Sequence, residues 1–268
     1  MLPYPPGPAP SPISGNFWGL PTKFPWLKYA EWAKQYGNLI HLKAFTNHIV
    51  VVNNVDDATA LFEKRSRIYS NRPRSTMVEL MGFDFSVAFI GYGDKWRRHR
   101  RIYHQTLNKA AVQRTQEPTQ TLKVHDYLNQ LVVAPDDFMA HFRKQVSFLH
   151  MAQSEIEKFT YISEVALTKL SGAFLPGTFI VDALSFLKYI PAWFPGANFK
   201  RYAAECRVLT DEMQRGPMKY VKERLAAGFE VSGLVATLLE RKGDQDAYQK
   251  ELDTREIAAT IFAGISDE

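Results

Sequence analysis

The stretch "GDKWRRHRRIYHQTL", residues 93–107, crowds five lysine and arginine side chains around a single tryptophan. Asp94 is placed to cap a helix N-terminus, and no proline interrupts the residues after it. At 100° per residue, Trp96, Arg100, Tyr103 and Leu107 lie within about 60° of one another and form one inward stripe. Arg97 and Arg101 point sideways, and Arg98 faces nearly away. An arginine inside an aromatic stripe is costly unless it meets an anion, and its planar fork suits a carboxylate or phosphate. Trp96 adds an indole N–H on the same face. Spacing alone leaves three readings open. The helix is a clamp for a cofactor's carboxylates, a solvated basic face on a packed helix, or a basic helix that binds nucleic acid. Against the third, no matching basic patch occurs elsewhere in the chain.

Composition narrows the setting. Apolar residues make up 46% and charged residues 23%, ordinary for a globular protein, and 13% aromatics favour a large apolar core or pocket. The net charge of +5 permits an anionic partner without demanding one. Cys206 is the only cysteine, so neither an intrachain disulfide nor a cysteine zinc site can form. The seven histidines contain no HxxxH or HExxH spacing, and no metal site is expected from them. No apolar run is long enough for a membrane span, and the N-terminus is not a signal peptide.

Outward from the basic stretch, the pattern is mostly helical. Six of the first twelve residues are proline, which predicts an extended, semi-rigid lead-in over residues 1–25. "FPWLKYAEWAKQYG" has helical apolar spacing closed by Gly37. "NLIHLKAF" and "NHIVVVNN" read as a β-hairpin with a Thr-Asn turn. "VDDATALFEKRSRIY" is a short helix. Residues 76–92 are loop-like but rich in large apolar residues, so they should fold over something. Helical pattern resumes from 119 to 174, broken at "APDD". A Pro/Gly-punctuated apolar connector leads into a long amphipathic helix or pair, "KRYAAECRVLTDEMQRGPMKYVKERLAAG", kinked near Pro217. "SGLVATLLERKG" is another short helix. In "DTREIAATIFAGISDE", Asp253 and Glu256 are spaced like a capping box at a helix start. The expected class is mainly α with a small N-terminal β-sheet, as a single domain over residues 1–268.

These segments together resemble the cytochrome P450 family of haem-thiolate monooxygenases, in its fungal microsomal form. "FIGYGDKWRRHRR" resembles the family's C-helix signature, a Trp followed four residues later by Arg. "PYPPGPAPSPISGN" resembles the proline-rich hinge after a membrane anchor. "YGNLIHLKAFTNHIVVVNNVDDATALFEKRSRIYSNRP" resembles the first sheet and B helix, and "LKYIPAWFPGANFKRYAAE" the segment between the F and G helices. "FAGISDE" resembles the start of the I-helix motif.

The resemblance implies a set of roles. Trp96 and Arg100 would bind the haem propionates. Phe83, Phe85, Val87 and Phe89 would line the substrate side, with Ala263 and Gly264 beside them. Asp267 would stand at the I-helix acid position, as a proton relay. Ile265 and Glu268 stand where the family has glycine and threonine. The implied reaction inserts one oxygen atom from O₂ into a small apolar organic substrate, with electrons from an NADPH-dependent reductase. The implied location is the cytoplasmic face of the endoplasmic-reticulum membrane. The family's glycine-rich loop with the iron-ligating cysteine has no match in these residues. Cys206, in "AAECRVL", has no such loop around it and reads as a helix residue. The expectation is therefore an incomplete, truncated cytochrome P450-like fold that ends in the I helix and is inactive alone. A non-catalytic haem- or partner-binding remnant is the alternative. With no anchor before the hinge, a soluble cytoplasmic form is expected.

Overall fold

A computed structural model describes residues 3–115, 117–141, 153–175, 178–229, 231, 234–241 and 246–266. They divide into two compact units. One comprises the residues up to Leu80 together with Leu170–Ala203, and the other Met81–Lys169 with the residues from Ala204 onward.

The first unit is built on a hairpin. Strand β1 (Leu39–Ala44) alternates half-buried and buried residues, so Ile40, Leu42 and Ala44 enter the core. Strand β2 (Asn47–Val52) pairs with it antiparallel, from Leu39 opposite Val52 to Ala44 opposite Asn47. The turn is therefore Phe45–Thr46, one residue earlier than expected, with Phe45 at a φ of 53°. Helix α1 (Pro25–Tyr36) packs Tyr29, Trp32, Ala33 and Tyr36 against this sheet. It ends at Gly37, whose N–H donates to the carbonyl of Ala33 and whose positive φ of 93° turns the chain out of the helix. Two short helices come next, α2 (Val55–Phe62) and α3 (Ser66–Tyr69). The Asn54 side chain caps α2 by accepting from the N–H groups of Asp56 and Asp57.

The proline-rich lead-in is extended but not free. His41 N–H donates to the Pro6 carbonyl, and Phe45 N–H to that of Ser14. Asn16 knots the segment: its Oδ1 accepts from Lys43 N–H, and its amide donates to the carbonyls of Pro8 and Ala9. Short helix α4 (Thr76–Met81) begins under Asp182, whose carboxylate accepts from the Ser75 hydroxyl and from Met77 N–H.

The second unit is helical. It contains α5 (Asp94–Leu107), α6 (Lys109–Thr115) and α7 (Glu117–Val133). Helix α8 (Gln153–Phe174) lies in it up to Lys169; α9 (Ile180–Ala183) belongs to the first unit. Helix α10 (Asn198–Ala226) lies in the second unit from Ala204 onward and runs through Pro217 as one helix, the first of the two forms expected. Helices α11 (Leu234–Glu240) and α12 (Ala247–Ser266) complete it. A Cβ on Gly216 would run into Cε1 and Cζ of Phe159, so only glycine lets α10 pass α8 here. Among the described residues, no helix is long and apolar enough to cross a membrane.

Candidate functional site

Helix α5 forms where expected, but its first helical residue is Asp94 and its cap position is Gly93. Asp94 makes no cap. It instead accepts from Arg97 at 2.7 Å, a hydrogen bond that holds its carboxyl below the usual range.

The buried face of α5 is not the aromatic stripe. His99 and Ile102 are its buried residues, with Lys95 and Arg98 on the same side. Trp96 and Arg100 lie roughly a quarter-turn round. Arg98, expected to face solvent, forks onto Asp253: Nε to Oδ2 at 2.7 Å and an Nη to Oδ1 at 3.2 Å. Lys95 pairs with Glu256 at 2.8 Å. Between them His99 Nε2 lies 3.3 Å from Asp253 and 3.4 Å from Glu256. Gln249 donates to Asp253 at 2.9 Å.

This cluster overturns the capping-box reading of Asp253 and Glu256. Helix α12 starts at Ala247, capped by Asp246, which accepts from Gln249 N–H. Asp253 and Glu256 therefore stand inside the helix, buried and facing α5. Burial alone would push the Asp253 carboxyl up; hydrogen bonds from His99, Arg98 and Gln249 outweigh it and hold the carboxyl well below the ordinary range. His99, Asp253 and Glu256 lie close enough together to hold a metal ion. Arg98 and Lys95 already balance the two carboxylates, so the cluster satisfies its charges internally. Sequence reasoning missed it because its members are about 155 residues apart and each obeyed a local rule.

Beside this packed face, the stripe stays accessible. Trp96 is half-buried, and its ring packs against Tyr92 at 5.1 Å. The exposed Arg100 guanidinium lies over the Trp96 ring at 5.6 Å. Of the five basic residues, Lys95, Arg97 and Arg98 each pair with a carboxylate. Arg100 and Arg101 pair with none among the described residues. The basic run is thus mostly neutralised, which disfavours the nucleic-acid reading. Tyr103, further along the stripe, hydrogen-bonds α12 at the Ile257 carbonyl; burial pushes its hydroxyl up to about 12.

The remaining expected positions scatter in exposure. Phe83 and Phe85 are 1% and 3% exposed, with rings stacked 6.1 Å apart, so both belong to the core. Val87 and Phe89 are half-buried. On α12, Ala259 is buried, Ala263 half-buried and Gly264 exposed with open space where a Cβ would lie. Asp267 falls outside the described residues. Cys206 sits inside α10, fully buried, with its Sγ 3.7 Å from the Ala166 carbonyl. Burial pushes its thiol up.

The family model described as Cytochrome P450 matches residues 5–265. Cytochrome P450 monooxygenase COX2 of Coprinopsis cinerea is 37% identical over 98% of this chain and 52% of its own length. Cytochrome P450 monooxygenase COX1 of the same fungus is 35% identical over 85% and 46%. Tryptamine 4-monooxygenase of Psilocybe cyanescens is 31% identical over 98% and 54%. The chain spans about half the length of these curated relatives. With nearly its whole length matched by the family model, the chain belongs to the cytochrome P450 family of haem monooxygenases.

Proposed function

We propose that these residues form the part of a haem-dependent monooxygenase that grips the cofactor's carboxylates, with Trp96 and Arg100 as the clamp. The observation that carries this reading is the state of Arg100. It is held over an indole whose N–H is also a donor, and no carboxylate among the described residues competes for it. A guanidinium and an indole N–H on one accessible helix face fit a carboxylate-bearing planar ligand. When bound with a cysteinate ligand, haem supplies activation of dioxygen for insertion of one oxygen atom into an organic substrate. The chain's own residues do the rest: Arg100 neutralises and orients a carboxylate, and the Lys95–Glu256 and Arg98–Asp253 pairs hold α5 in place beside α12. Phe83, Phe85, Val87, Phe89, Ala263 and Gly264 are the substrate-side positions of this reading, with Asp267 as its proton relay; Phe83 and Phe85 are the two of them that are fully buried.

The same reading assigns residues 1–268 no iron-ligating cysteinate. Cys206 is the only thiol, and burial within α10 keeps it protonated and out of reach. Monooxygenation of a small apolar substrate, fed by an NADPH-dependent reductase, therefore needs a cysteine loop beyond these residues. Two measurements test the proposal. Haem titration followed by absorbance should show Arg100→Ala weakening binding at least tenfold, with Arg101→Ala near wild type. The reduced, CO-treated complex of residues 1–268 should lack the thiolate-type Soret band. Equal binding by the two variants would refute the clamp, and a thiolate-type band would refute the second assignment.

A further inference from the structure

The outward face of the hairpin carries a second histidine arrangement, in the other unit. His41 on β1 and His48 on β2 sit diagonally across the strands, since His41 opposes Val50 and His48 opposes Lys43. Their ring nitrogens, Nε2 of His41 and Nδ1 of His48, are 2.9 Å apart. The two rings are within 20° of parallel. The Tyr4 ring lies flat across both, with centroids 4.4 and 4.5 Å away and planes within 12°. Tyr4 is held there because His41 N–H donates to the Pro6 carbonyl two residues on.

From this geometry we propose that His41 and His48 form a two-imidazole site for a borderline divalent transition ion, of the class Zn²⁺, Ni²⁺ or Cu²⁺. Imidazole nitrogens bind such ions at about 2.0–2.1 Å, and two cis ligands at that distance stand about 2.9 Å apart. The hairpin already supplies that separation, so little side-chain entropy is lost on binding. The ion lies off the line between the nitrogens, with each ring turning to aim its lone pair at it. One proton must move: the ring that donates in the hydrogen bond shifts to its other tautomer, which leaves the facing nitrogen's lone pair for the ion. Water completes the coordination. Lys43 shares this face and opposes the ion's charge, so the site is a weak one.

The test is a Cu²⁺ and Ni²⁺ titration of the untagged chain after chelator treatment, read by calorimetry and, for Cu²⁺, by electron paramagnetic resonance. One site is expected, with nitrogen couplings from two imidazoles. His41→Ala and His48→Ala should each weaken that site at least tenfold, and far-ultraviolet circular dichroism should be unchanged because neither side chain belongs to the core. Tyr4→Ala should keep the two-nitrogen signature. Binding that survives the double variant at full strength, loss in only one single variant, or no binding by the wild-type chain would each overturn the proposal.

Discussion

Arg98 grips Asp253 through two nitrogens, Nε at 2.7 Å from one carboxylate oxygen and an Nη at 3.2 Å from the other. Asp253 is 1% exposed at its side chain and Arg98 29%, so the pair runs from the interior to the rim. This fork, with Lys95–Glu256 and the Tyr103–Ile257 hydrogen bond beside it, joins helix α5 to α12.

Removing the acid should therefore be strongly destabilising. Asp253→Ala leaves the Arg98 guanidinium and the buried His99 imidazole without their shared acceptor. Breaking a buried pair in this way costs about 3–5 kcal/mol. Urea denaturation should show that loss as a lower midpoint with an unchanged slope. Arg97→Ala, which removes an exposed pair with Asp94, should change the midpoint little.

The same carboxyl sets an acid limit. Its hydrogen bonds hold it well below its unfolded value of about 3.9. A group depressed on folding contributes its full stability above the unfolded value and loses it as pH falls toward the folded one. Stability should thus drop steeply below about pH 4 in the wild type. Asp253→Asn cannot take up that proton, so its curve should start lower at neutral pH and fall less steeply over the same range. Parallel acid limbs in the two proteins would show that Asp253 is not the group responsible.

The elements are legible in the sequence because each signal is local. Gly37 after helical spacing marks the end of α1, and two short apolar-rich runs on either side of a turn mark the hairpin. The stripe on α5 is a true stripe, yet which face of the helix turns inward depends on Asp253 and Glu256. Periodicity reports that residues share a face, not what that face meets. The rule that misleads is also local: Asp and Glu three apart look like a capping box until their true partners, Arg98, His99 and Lys95, are brought in from about 155 residues away. Trp96 and Arg100 stand out by their spacing and by family resemblance. The His41–His48 pair is invisible to both, because spacing along the chain cannot see neighbours across a hairpin.

Gly216 should be intolerant of any side chain. Phe159, 2% exposed, occupies the space a Cβ would need. Ala would ordinarily stabilise a helix interior relative to Gly by roughly 0.5–1 kcal/mol. Here overpacking, typically about 1–3 kcal/mol, reverses the sign. Gly216→Ala should lower the urea midpoint, whereas Gly264→Ala, with open space around its Cβ, should leave it equal or higher. A gain in both variants would mean that α8 and α10 have slack at this crossing.

Docking of the proline-rich segment hangs on Asn16 and Gly7. Asn16 ties the segment to itself through Pro8 and Ala9 and to β1 through Lys43 N–H. Gly7 lies so close to β1 that a Cβ would strike the His41 carbonyl oxygen. Either Asn16→Ala or Gly7→Ala should loosen the segment while sparing the β1–β2 ladder, whose residue pairing is independent of it. Amide hydrogen exchange separates these outcomes. The His41 and Lys43 amides, which donate to Pro6 and to Asn16, should exchange at least tenfold faster in both variants. Exchange at the amides that pair β1 with β2 should hold. If the two amides stay protected in Gly7→Ala, the segment has a second register on β1 and glycine is not what seats it.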